Sequence, residues 1–177
     1  MHSTEKATEI AKKIKLLILD IDGVLTDGGI YFDDTGKELK KFNSLDGHGI
    51  NMLLSSGIEV GVITARSTSS VSYRLKDLGV KHYYHGISDK SITLTDLTDK
   101  LSIELSQVCY VGDDVIDLTV MTKVALPIAV ANAHSFVKEH SILVSEKCGG
   151  SGAVREVCDF LLKSQGKYDA LMESYLK

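Results

Sequence analysis

Six short apolar runs, alternating with stretches of helical spacing, constrain this chain more than any other feature. The runs cover residues 16–19, 58–63, 82–84, 108–111, 124–130 and 142–144. Helical spacing is found over 47–56, 68–78, 88–101, 115–121, 133–139 and 153–164. In the second of these, Val71, Leu75 and Leu78 fall at i, i+4 and i+7, one stripe of a helix. Ser67, Thr68 and Ser69 offer caps before it, and Gly79 a stop after it. Strands that are apolar throughout have no face for water, so the sheet they form is parallel and covered on both sides by helices. The expected fold is α/β, a three-layer Rossmann-like parallel sheet.

One stretch breaks the alternation. Gly29-Ile-Tyr-Phe-Asp33 and Glu38-Leu-Lys-Lys-Phe42 flank Asp34-Thr35-Gly36, which predicts a β-hairpin over 29–42 projecting just after the first strand. Residues 166–177 read as a polar tail, and 1–177 as one domain. Hydrophobic residues make up 44% of the chain, enough to order it. A formal charge of −4 argues against a nucleic-acid partner. No run of 18 apolar residues exists to span a membrane, and residues 1–15 lack the apolar stretch of a signal peptide. Cys109, Cys148 and Cys158 show no C-x-x-C spacing, so zinc is not expected and a reducing, cytoplasmic setting is.

In open α/β sheets ligands bind beyond the carboxyl ends of the strands. The first strand runs into Asp20-Ile-Asp-Gly-Val-Leu-Thr-Asp-Gly28. Asp20 and Asp22, two apart in extended chain, aim their carboxylates the same way. Like charges so close raise a pKa or require a cation. The second strand ends in Thr64-Ala65-Arg66, a hydroxyl and a guanidinium suited to phosphate oxygens. Alone, Thr64 is also a plausible helix cap. Lys90 follows the third strand at a helix start, where the dipole disfavours a cation, and alone it reads as a solvated side chain. The fourth strand ends in Gly112-Asp-Asp-Val-Ile-Asp117, an oxygen-rich set of the kind Mg²⁺ prefers. Together these strand ends supply a carboxylate nucleophile, an acid/base, phosphate-holding groups and a metal cradle. That is equipment for phosphoryl transfer through an aspartyl-phosphate.

These residues resemble the four signature motifs of the haloacid dehalogenase (HAD) superfamily of phosphohydrolases. Longer stretches, Phe42-Asn-Ser-Leu-Asp-Gly-His-Gly-Ile50 and Gly149-Gly-Ser-Gly-Ala-Val-Arg-Glu-Val-Cys158, are similar to its capless family acting on 3-deoxy-D-manno-octulosonate (KDO) 8-phosphate in lipopolysaccharide precursor synthesis. The resemblance implies Asp20 as nucleophile, Asp22 as general acid/base, and Thr64 and Lys90 holding the phosphoryl group. It implies Mg²⁺ on Asp20, Asp113 and the carbonyl of Asp22, with Asp114 and Asp117 outside that shell. It also implies a substrate pocket lined by Asn43, Asp46, Gly47, Arg66 and Arg74, for a small phosphorylated sugar acid. Leu45 stands where the family usually carries Arg, and Asn51 where Lys or Arg is common.

The interval between Gly28 and the helix near Gly47 holds only the hairpin, so no cap domain is inserted there. The resemblance implies a homotetramer whose neighbouring subunits cover each site. Ile30, Phe32, Leu39 and Phe42 are the apolar face offered to that interface. Three other readings remain open: a phosphatase for a sialic-acid-type 9-phosphate, a broad sugar phosphatase, and a phospho-receiver domain. The last fits less well, since a receiver's phosphorylated Asp follows a middle strand.

Overall fold

A computed structural model describes residues 5–177; the first four residues of the polar N-terminal stretch, and that end of the expected domain, lie outside it. Six strands form one parallel sheet: β1 (Leu16–Leu19), β4 (Glu59–Ile63), β5 (His82–Tyr84), β6 (Val108–Gly112), β7 (Leu126–Ala129) and β8 (Leu143–Val144). Their order is β5-β4-β1-β6-β7-β8. Central β1, sequence LLIL, is buried at every position and pairs with β4 on one side and β6 on the other. The direction of winding reverses at β1, so a crevice opens at its carboxyl end.

Helices cover both faces, as the continuous apolar strands require. α2 (Ser44–Ser55) packs on α7 (Ala153–Ser164), with α1 (Glu5–Ala11) beside it, and α4 (Lys90–Leu101) packs on α5 (Leu118–Met121). Helix α7 follows its pattern closely: Ala153, Val154, Val157, Cys158, Leu161 and Leu162 form one buried stripe. At ~1.5–3 kcal/mol for each large side chain, that stripe is a substantial share of the favourable burial. Shorter α3 (Ser69–Asp77) and α6 (Ser135–Glu139) complete the layers.

The hairpin forms where expected, with pairing confined to β2 (Tyr31–Phe32) and β3 (Glu38–Leu39). Asp33 organises its turn, accepting from the backbone N–H of Thr35 and of Lys37, each at 2.9 Å. An antiparallel bridge between Thr26 and Phe42 closes its base. Ile30, Phe32 and Leu39 are exposed, Phe32 at 62%, as is Tyr31. Phe42 instead packs against the core and drops out of the expected apolar face. A second difference lies in the tail, which carries α8 (Tyr168–Ser174). Tyr168, Leu171 and Met172 hold that helix against the core, and Lys163 lies over the Tyr168 ring at 4.6 Å.

Candidate active site

Asp20 leaves β1 still tied to the sheet, its N–H donating to Val111 at 3.2 Å. The chain then turns sharply over Ile21–Leu25, with Gly23 at φ +92°. A Cβ on Gly23 would stand 2.1 Å from Asp113 Oδ2, so glycine serves both the turn and the approach of that carboxylate. Buried Thr26 braces the loop, its hydroxyl accepting from the N–H of Gly23 and of Gly28 and donating to the Ile21 carbonyl. Behind it lies the glycine loop before α7. A Cβ on Gly149 would fall 1.6 Å from the Gly23 carbonyl oxygen, and Gly150 donates to Val24 at 2.9 Å. Asn132 accepts from Gly149 at 2.8 Å and holds this loop in place.

Lys90 opens α4, and its ammonium is turned inward with only 3% of the side chain exposed. It donates to Asp20 Oδ1 at 2.8 Å, Asp117 Oδ1 at 2.7 Å and the Tyr110 hydroxyl at 3.2 Å. The solvated reading of Lys90 therefore fails, because two buried carboxylates outweigh the helix dipole. Burial acts to lower its pKa, yet Asp20 and Asp117 win and raise it above the usual lysine value. Tyr110 donates to Asp117 Oδ1, whose other oxygen accepts from the N–H of Asp113 and of Asp114. Both oxygens of Asp117 are thus engaged, which makes it a brace for Lys90 and the β6 loop.

Asp20, Asp113 and Asp117 each place a carboxylate oxygen within 4.8 Å of the others. Asp113 Oδ1 is buried without a hydrogen-bond partner among the described residues. Burial and the neighbouring Asp117 push the Asp20 carboxyl up to about 6, against the pull of Lys90. Asp113 rises to about 7, from burial and from Asp117, Asp20 and Asp114. A buried oxygen without a partner, in a group of closely spaced carboxylates, fits a hard divalent cation. Asp20 and Asp113 fit as side-chain ligands.

A cavity of about 250 Å³ opens over these groups, lined by Asp20, Asp22, Thr64, Arg66, Asp113 and Asp114, among others. Thr64 is buried at the end of β4. Asp114 accepts from Val115 at 2.7 Å and caps the following turn. Two residues bonded to this lining are not singled out by the sequence. Lys40, just past β3, pairs with the carboxylate of Asp22 and lies 2.7 Å from Glu38 Oε1. Glu38 Oε2 in turn accepts from Arg66 at 2.9 Å.

Four residues expected at the pocket do not line this cavity. Asn43 caps α2, accepting from Leu45 at 2.8 Å. Asp46, 1% exposed, accepts from Arg155 N–H at 2.7 Å and Gly152 N–H at 3.3 Å, so its carboxylate caps α7. Burial raises its pKa against those backbone donors. Gly47 has the Arg74 guanidinium lying over it, where a Cβ would clash at 2.1 Å, and Arg74 bonds Asp77 at 3.0 Å. Exposed His48 sits against Tyr175, with ring centroids 5.4 Å apart.

Residues 84–156 match the family model of haloacid dehalogenase-like hydrolases. The 3-deoxy-D-manno-octulosonate 8-phosphate phosphatase KdsC of Escherichia coli K12 is 52% identical over 159 residues, 90% of this chain and 85% of that one. The chain belongs to the KdsC phosphatase family. Among solved structures, a probable YrbI family phosphatase from Pseudomonas syringae matches with a TM-score of 0.96 at 44% identity, covering 98% of this chain and 99% of that one. The KDO 8-phosphate phosphatase of Moraxella catarrhalis, solved with magnesium, phosphate and KDO, gives 0.95 at 41% identity over 97% and 99% of the two chains. The six-stranded parallel sheet flanked by helices is thus the HAD-type fold that the KdsC phosphatases share.

Proposed function

We propose that this chain is a Mg²⁺-dependent phosphomonoesterase that hydrolyses KDO 8-phosphate to KDO and phosphate. One observation carries the chemistry: Asp20 Oδ1 lies 2.8 Å from a buried lysine ammonium and beside the unpartnered carboxylate of Asp113. Asp20 attacks phosphorus in line, forming an Oδ–P bond as the P–O bond to the sugar breaks. Asp22 gives its proton to the departing sugar oxygen, then takes one from the water that cleaves the aspartyl-phosphate. Lys90 and Thr64 hold the phosphoryl oxygens while charge is redistributed. Asp20, Asp113 and the carbonyl of Asp22 would hold Mg²⁺, which when bound would supply neutralisation for an anionic phosphate beside a carboxylate. Arg66 is the guanidinium at the cavity and meets the sugar-acid carboxylate; exposed Leu45 brings no charge there.

The same reading makes the enzyme a cytoplasmic homotetramer of single-domain subunits. Support comes from the exposed hairpin residues Ile30, Tyr31, Phe32 and Leu39, with Leu45 close by in sequence, an apolar surface suited to a second copy. A neighbouring subunit seated there covers the open cavity, which no cap domain closes. Sedimentation at micromolar concentration checks this, and a monomer overturns it. For the substrate, a panel of phosphorylated sugar acids and plain sugar phosphates is ranked by kcat/KM with Mg²⁺. KDO 8-phosphate heads that ranking; a sialic-acid-type 9-phosphate or a hexose phosphate at the top overturns the assignment.

A further inference from the structure

Four charged side chains meet at the rim of the cavity, and two of them belong to the hairpin. Glu38 and Lys40 are two residues apart on an extended strand, so they face one way and Leu39 the other. The charged face looks into the site and the apolar face outward. Lys40 keeps 1% of its side chain exposed, an unusual burial for a lysine, and its ammonium pairs with the Asp22 carboxylate. Glu38 lies 2.7 Å from Lys40 through one oxygen and 2.9 Å from Arg66 through the other, and Arg66 Nε stands 3.7 Å from Asp22 Oδ2. The Glu38 carboxyl is held below its ordinary value, by Lys40 first and then by Arg66.

Asp22 needs such support. It sits on a tight turn beside Gly23, and proton transfer needs its carboxyl correctly aimed. We propose that Lys40 is a positioning residue for the reaction: its ammonium, steadied by Glu38, fixes the direction of the Asp22 carboxyl. The hairpin is then a working part of the active site of its own chain. This rests on the reading of Asp22 as general acid, and the experiment separates the two.

The readout is leaving-group release in single turnovers, from KDO 8-phosphate and from 2,4-dinitrophenyl phosphate. A sugar alkoxide needs a proton to depart, whereas dinitrophenolate leaves without one. Lys40→Met slows release from the sugar phosphate about 10- to 100-fold, the scale of general acid catalysis, and from the aryl ester by less than about 3-fold. Lys40→Arg restores most of the loss. Equal slowing of both esters, as from a general loosening of the fold, or slowing of neither, overturns the proposal. Should Lys40→Met not fold, Glu38→Gln keeps the lysine and removes its anchor, and the same selective loss is expected. Asp22→Asn is the reference. If it slows both esters alike, the reading of Asp22 falls; if it discriminates and Lys40→Met does not, only the role of Lys40 falls.

Discussion

The phenol of Tyr110 donates to Asp117 at 2.6 Å from within β6, so the brace beneath Lys90 is built into the sheet itself. Asp117 Oδ1 accepts from both Tyr110 and Lys90, and removing one donor leaves a buried carboxylate oxygen with a single partner. The arrangement links the stability of the core to the placement of the ammonium that faces Asp20.

Tyr110→Phe therefore costs about 1–3 kcal/mol, the scale for a buried hydrogen bond to a charged group. At about 2–4 °C per kcal/mol for a chain of this size, calorimetry registers the change directly. Turnover falls through kcat more than KM rises, since Lys90 is left less firmly aimed.

The acidic cluster sets a pH dependence. Asp20 and Asp113 titrate at about 6 and about 7 in the folded chain, above the ordinary aspartate value of 3.8. The native state thus holds protons that the unfolded chain releases. Their contribution is complete below about pH 4 and is lost as pH rises to about 7. Asp27, Asp33 and Asp89 are shifted downward and act oppositely, at lower pH. Metal-stripped protein should accordingly lose Tm between pH 5 and 7.5 (a working window set by these pKa values), and Asp113→Asn should flatten that fall. Mg²⁺ at about a hundred times its Kd returns ~2.7 kcal/mol, with the largest Tm gain at the alkaline end. A Tm that rises from pH 5 to 7.5 without metal would contradict this account.

Gly23→Ala puts a methyl group on a backbone at φ +92° and 2.1 Å from Asp113 Oδ2. The carboxylate must shift from its present position, and Mg²⁺ affinity falls about 10-fold or more, the size of effect seen when a ligand's support is lost. Isothermal titration with Mg²⁺ measures this without turnover.

Asp46→Asn separates a structural from a substrate role. Losing the carboxylate that caps α7 costs about 1 kcal/mol, while KM for the sugar phosphate stays near wild type. A large rise in KM with unchanged Tm would return Asp46 to the pocket.

Much of this site was legible because its residues sit at strand ends. Asp20 and Thr64 directly follow apolar runs, Asp113 follows one after a single glycine, and the rule for open α/β sheets places such residues together. Tyr110 was not legible, since a tyrosine inside an apolar run reads as packing until its partner seven residues on is known. Lys40 was hidden by Lys41 beside it, a pair that looks like a solvated hairpin edge. The alternation Glu38-Leu39-Lys40 was the available signal, and it marks one of the two lysines as inward. The bonding of Asp46 was hidden for a related reason: an acid in the first turn of α2 usually answers its own helix, and here it accepts from α7. The tail was underread as well, although Tyr168, Leu171 and Met172 at i, i+3 and i+4 are a short apolar face.

The glycine loop has a consequence for the order in which the enzyme comes into being. Gly149 and Gly150 press against the backbone of Gly23, Val24 and Thr26, with no room for even a methyl group between them. Asp20 thus emerges early in synthesis, but the wall that shapes its loop is translated more than a hundred residues later. A chain that has reached only Asp117 carries Asp20, Asp22 and Asp113 without the wall behind their loop. The shape of the Asp20 loop is thus a property of the finished fold.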